Sequence, residues 1–259
     1  MPTTPAIRTL LLSVALAITA SAALADAAQE CRDATLTAEA RQTACETAAA
    51  EAAALESQAD AHLIAGRPEE ALEAARSALQ IAAYVTLDSP EEAQAAAGRM
   101  VNLGPEYERV QGMLLQALVQ TGAADEAVAA YREAQAAGVE DTTGHLAVDL
   151  AWGFYRTGEH ETALPIIEDW LAAHPEPTGH EEYHSRVGTL AHILAALGRE
   201  EEAVQAYLRA VEIVGPDGPA YYSQGLTASG FAPEPGEEGF EAAIRACAAA
   251  GTECRLYDD

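Results

Sequence analysis

Apolar residues recur at three- and four-residue spacing through residues 37–214, where Ala, Glu, Leu and Gln dominate. Thr, Val and Ile never cluster as they would in strands. Stripes such as Leu114, Leu115 and Leu118, or Leu190, Ile193 and Leu194, each place aliphatic side chains on one helix face. The breaks fall at Gly, Pro or Asp-Ser, so the pattern predicts successive amphipathic helices and an all-α fold. A pattern this regular over residues 37–214 is the signature of internal repeats.

Four segments align on a glycine: "HLIAGRPEEALEAARSAL", "ALVQTGAADEAVAAYREA", "GFYRTGEHETALPIIEDWL" and "ILAALGREEEAVQAYLRAV". The glycines are Gly66, Gly122, Gly158 and Gly198, and five residues after each comes an alanine: Ala71, Ala127, Ala163 and Ala203. Four further on stand Ala75, Tyr131, Ile167 and Tyr207; then come Ala78, Ala134, Leu171 (one residue out of step) and Ala210. The physical reading is a helix, a tight turn at glycine, and a second helix. The alanine lets the two helices approach closely, and the larger residue fills the groove one turn later. Glu69, Asp125, Glu159 and Glu200 suit the positive end of the second helix, and Pro68 suits a first helical position.

These segments resemble tetratricopeptide repeats over about residues 45–214, and Pro175 falls where that family often closes a repeat. The spacing departs from the family: Gly122 to Gly158 is 36 residues and Gly158 to Gly198 is 40, but Gly66 to Gly122 is 56. The first helices also carry aliphatic stripes in place of the family's tryptophan and first glycine. The longest interval predicts an extra helix over about Pro90–Asn102, opened by "DSP" and closed by "LGP". The resemblance implies a short right-handed solenoid of three or four helical hairpins with one inserted helix.

Residues 215–238 change character, with Gly, Pro and Ser enriched and an aromatic pair at Tyr221–Tyr222, and read as a linker. "EEGFEAAIRACAAAG" then predicts an amphipathic helix with Phe240, Ala243, Ile244 and Cys247 on one face, placed to cap the solenoid. At the other end, Arg8 precedes an apolar run from Leu10 to about Ala20, and Ala23-Leu24-Ala25 offers small residues for cleavage. The organisation expected is a signal peptide over 1–25, a repeat domain over 26–218, and linker plus helix over 219–259. The run is short for a bilayer span, so the mature chain is expected to be free of the membrane and exported, to a Gram-negative periplasm or beyond.

Cys31, Cys45, Cys247 and Cys254 fit an exported protein stapled by disulfides. Three connectivities exist, and the expected one is local, Cys31–Cys45 with Cys247–Cys254. The chain holds 14 arginines, no lysine and 41 carboxylates, for a net charge of −27. Such a surface repels nucleic acid and anionic lipid and favours neutral or basic partners.

The one short chemical signature is "HEEYH", residues 180–184, which has the His-Glu-x-x-His pattern of helical zinc sites. His180 and His184 would be ligands, Glu181 the general base and His192 a third ligand. The register argues against a protease. His180 and Glu181 follow "PEPTG" at the start of a helix, while Val187, Leu190, Ala191 and Leu194 form that helix's packing stripe. A looser metal site among His174, His180, His184 and His192 is the remaining metal reading, with zinc the only cofactor suggested. No nucleophile elbow, phosphate loop or dinucleotide fingerprint is present, so no catalytic residues are assigned. Trp152, Phe154 and Tyr155 gather before Gly158; their expected role is packing, with concave-face binding by Trp152 and Tyr155 as the alternative. The expected function is a non-enzymatic periplasmic adaptor that binds a protein or peptide. The alternative is a zinc-dependent hydrolase or metal-binding protein centred on His180, Glu181 and His184.

Overall fold

The computed structural model describes residues 27–87, 92–93, 100–104, 107–175 and 183–254. The expected signal peptide, and His180 and Glu181 of the zinc pattern, lie outside the described residues. The described chain is all-α, built from ten helices in a repeat arrangement. Its helices are α1 (Ala38–Ile64), α2 (Pro68–Thr86), α3 (Glu108–Gln120), α4 (Ala124–Ala136), α5 (His145–Thr157), α6 (His160–Ala173), α7 (Tyr183–Ala196), α8 (Glu200–Val214), α9 (Gly218–Ala228) and α10 (Glu237–Ala250). None of the described helices is long and apolar enough to cross a membrane. The chain divides into two compact units, the first mainly the residues up to Leu114 and the second mainly those from Leu115 onward.

In the first unit, α1 and α2 form a hairpin around Gly66. Ala44, Ala48, Ala52 and Ala59 recur about every turn along the buried side of α1, opposite a partner face built from Ala71, Ala75, Ala78 and Ala82. Small side chains on both faces permit close approach of the two backbones. Thr37 Oγ1 accepts from the Ala40 amide and so caps α1. A helical turn at residues 27–32 joins this hairpin, where Arg32 donates to the carbonyls of Tyr84 (2.7 Å) and Val85 (2.9 Å). Those acceptors lie in the last turn of α2, where carbonyls lack helical partners and a cation is favoured. Cys31 and Cys45 sit at disulfide distance, with Cα atoms 4.6 Å apart. Most of the expected inserted helix at 90–102 lies outside the described residues; Glu92 and Ala93 are helical, but 100–102 are not.

In the second unit the glycine register is reproduced in backbone hydrogen bonds. The Gly158 amide donates to the Tyr155 carbonyl and the Glu159 amide to the Phe154 carbonyl; the same pair closes α7 through Gly198 and Arg199. Equivalent bonds form at Gly66 and Gly122. Each glycine is left-handed, with φ between 66° and 86°, the conformation that ends a helix by satisfying its last carbonyls. The alanines five residues later, Ala71, Ala127, Ala163 and Ala203, have no exposed surface at all. The position twelve residues after Gly158 belongs to Trp170 and not Leu171: Trp170 is buried, in step with Ala78, Ala134 and Ala210, while Leu171 is only partly covered.

The expected linker is the main correction to the sequence reading. Residues 218–228 form α9, which packs on α8 and α10. Pro219 lies in its first turn, where a missing amide hydrogen costs nothing. Gly218 is required because a Cβ there would strike the Val211 carbonyl oxygen. Tyr222 and Leu226, one turn apart, are fully buried, so tertiary packing overrides the weak helix propensity of the segment. α9 ends at Gly230 with the hydrogen-bond pair of the earlier repeats. α10 buries Phe240, Ala243, Ile244 and Cys247 and packs on α7 and α8, and Cys254 lies at disulfide distance from Cys247, with Cα atoms 5.1 Å apart.

Candidate functional site

The first helices of consecutive hairpins, α5, α7 and α9, carry a continuous seam of aromatic and imidazole rings. On α5, Trp152 stacks on Tyr155 with centroids 4.7 Å apart. The spacing i, i+3 puts both rings on one face of the helix. Across the groove, His192 of α7 lies 5.6 Å from Trp152 and 6.0 Å from Tyr155. Its Nδ1 is 3.0 Å from the Tyr207 hydroxyl on α8, and both residues are almost wholly buried. One end of the seam is therefore a polar pair locked inside apolar packing.

The other end is more open. His184, two turns before His192, places Nδ1 3.1 Å from the Tyr222 hydroxyl of α9. Its ring also meets Tyr221 edge-on at 5.3 Å, and Tyr221 meets Tyr222 at 5.2 Å. Tyr207 links the two ends. Burial pushes its phenol well above the ordinary range, and the nearby Tyr155 and Tyr222 hydroxyls add to the effect. The Tyr207 phenol is thus held in its neutral state, and His192 is buried beside it in a packed groove. Trp152 and His184 are half-buried, and Tyr221 is 48% exposed, the most exposed aromatic among the described residues.

The residues expected from the sequence fall into place unevenly. Trp152 lies on the seam and keeps part of its ring at the surface, whereas Tyr155 is buried and packs beneath it. His184 and His192 stand on one helix eight residues apart, about 12 Å along the axis, too far to share an ion. His174 belongs to a separate cluster: its ring stacks on Trp170 at 4.5 Å and its Nδ1 meets the Trp170 carbonyl oxygen at 2.9 Å. Among the described residues no group of three His, Cys, Asp or Glu side chains stands where it could hold a metal ion. The sequence reading missed Tyr221, Tyr222 and His184 as one cluster because the tyrosine pair was assigned to a linker. The signal was available in the three-to-four-residue spacing of Tyr222 and Leu226.

Arg186 of α7 fixes the relation between α7 and the start of α5. It is buried, and donates from Nε to the Thr143 carbonyl at 3.0 Å and from Nη1 to Ser185 Oγ at 2.7 Å. Three exposed arginines are drawn to carboxylates: Arg199 to Glu202, Arg209 to Glu212, and Arg245 to both Glu241 and Glu201. These pairs stabilise little individually, but they leave the surface field to the excess carboxylates.

Residues 115–215 match the sequence model of the tetratrico peptide repeat family. That segment runs from the middle of α3 to the end of α8 and contains the Gly122, Gly158 and Gly198 turns. No curated protein and no solved structure matches the chain. The family match, the repeated glycine turns and the fully buried alanines in one register make the segment over residues 115–215 tetratricopeptide-like.

Proposed function

We propose that the protein is a non-enzymatic, exported adaptor that binds a protein or peptide partner across the α5, α7 and α9 faces. The supporting observation is the ring seam. It runs over three successive first helices and keeps Trp152, His184 and Tyr221 at the surface, although the fold could have buried aliphatic residues there. Partly exposed aromatics beside a rigid polar network are the usual anchors of a protein interface. A net charge of −27 disfavours nucleic acid and anionic lipid, and fits a neutral or basic partner. The expected export to a periplasm accords with the local cysteine pairs.

Site-specific photo-crosslinking tests this reading. A photoreactive residue replacing Tyr221 is expected to give discrete adducts in the source organism, and one replacing exposed Ile64 on α1 is not. Equal labelling from both positions, or none from Tyr221, would overturn the assignment of this face.

A further inference from the structure

We propose that residues 27–32 are a redox-released latch, closed on the first hairpin while Cys31 and Cys45 are joined and released when a dithiol reduces them. The latch is the short helical turn ahead of α1. Its hold on the hairpin combines an apolar, a covalent and a polar contact. Ala28, 1% exposed, packs with Ala48 and Ala52 of α1 and Ile81 of α2. Cys31 is buried at disulfide distance from Cys45 of α1. Arg32 donates from Nε and Nη2 to the Tyr84 and Val85 carbonyls in the last turn of α2. The connection to α1 is a compact hinge with bonds of its own. There the Leu36 amide donates to the Asp33 carbonyl, and the Thr35 amide and hydroxyl both donate to the Asp33 carboxylate.

The turn brings only Ala27 and Ala28 to the apolar cluster, and a helix of six residues has little stability of its own. The covalent link therefore keeps it docked, by holding Arg32 at high effective concentration beside its acceptors. Opening takes the guanidinium away from carbonyls that lack helical partners and frays the end of α2. Access to a reductant separates the two cysteine pairs. Cys45 keeps part of its surface exposed, whereas Cys247 and Cys254 in the second unit have none. Exchange requires a thiolate to reach a sulfur. One thiolate of the dithiol attacks Cys45 Sγ, the bond to Cys31 breaks, and Cys31 leaves and takes up a proton. The second thiol then displaces Cys45 as a thiol, and the dithiol ends as its own disulfide. Two electrons and two protons pass to the Cys31–Cys45 pair.

The test equilibrates the oxidised protein over a range of dithiothreitol, maps thiols by alkylation and mass spectrometry, and follows hydrogen exchange in the same samples. Cys31 and Cys45 are expected to react at lower dithiothreitol than Cys247 and Cys254. Exchange of residues 27–33 should rise about tenfold in step, with the middle of α1 still protected. The Cys31→Ser/Cys45→Ser variant should show that faster exchange without reductant. Arg32→Ala should lower the concentration for half-reduction several-fold, because contacts that favour the closed turn favour the oxidised pair equally. Reduction of the second pair first, or a reduced turn that exchanges as slowly as the oxidised one, would overturn the latch. Melting of the whole α1–α2 hairpin on reduction would overturn it too, by making the pair a staple of the fold. An Arg32→Ala half-reduction equal to that of the unaltered protein would break the coupling and overturn the proposal likewise.

Discussion

Trp170 occupies the volume that a side chain on Gly144 would need: a Cβ there would stand 2.6 Å from Trp170 Cζ2 and 2.8 Å from Cε2. Trp170 Nε1 also donates to the Asp141 carbonyl at 2.8 Å, while the Asp141 carboxylate accepts from the amides of Leu146 and Ala147 at the start of α5. One loop therefore caps α5 and receives the indole of α6. Gly144 has φ +83°, so a substitution there meets both backbone strain and the ring. Gly144→Ala is expected to cost about 2–4 kcal/mol in urea unfolding. Gly158→Ala, at φ +84° with nothing within 4 Å of its Cβ, should cost only about 1 kcal/mol. Equal losses would show that the indole exerts no constraint.

The alanine five residues after each turn glycine should tolerate no enlargement. Ala203 is fully buried where α8 crosses α7, and the leucine side chain has no space to enter without moving a helix. Ala203→Leu is expected to lower stability by about 1–3 kcal/mol, whereas Ala172→Leu, exposed on α6, should stay within about 0.5 kcal/mol. Thermal unfolding of the two variants side by side checks the assignment of the repeat register.

Alkaline pH should unfold the protein through its tyrosines. Burial raises Tyr131 from 10.0 to about 12, with Asp141 and Asp169 adding to the effect, and burial raises Tyr207 as well. Between those values the unfolded chain releases the phenolic proton while the folded chain keeps it. Stability is therefore intact below about pH 10 and falls as pH rises through the folded value. The absence of lysine clears this window of its usual competitor. Tyr131→Phe should flatten the decline in denaturant midpoint between pH 10 and 12, and an unchanged slope would remove Tyr131 from the account.

The repeat was legible because it rests on residues whose roles do not depend on neighbours far away. A left-handed turn selects glycine at 66, 122, 158 and 198, and a helix crossing selects alanine five positions on. Leu171 was given the repeat position that Trp170 holds because the indole's bulk is compensated elsewhere, by the missing side chain of Gly144. α9 was hidden for a similar reason. Gly218, Pro219 and Gly225 look like loop residues locally, yet Gly218 is small to clear Val211 and Pro219 falls in the first turn. The seam was half visible. Trp152 and Tyr207 could be placed on helices from spacing alone, but the Tyr222 hydroxyl that meets His184 comes from a helix 38 residues along the sequence.

The histidines of α7 give the last prediction. His192 is buried with Nδ1 on the Tyr207 hydroxyl, so His192→Ala should act as a packing and hydrogen-bond loss of about 1–3 kcal/mol and leave zinc content untouched. His184 meets the Tyr222 hydroxyl through Nδ1 from the first turn of α7. Untagged protein analysed for metal is expected to hold zinc well below stoichiometry, with no change in a His180→Ala/His184→Ala variant. A tightly held equivalent lost in that variant, and kept in His192→Ala, would restore "HEEYH" as a two-histidine metal site. Loss of the metal in His192→Ala without loss of stability would contradict the buried geometry itself.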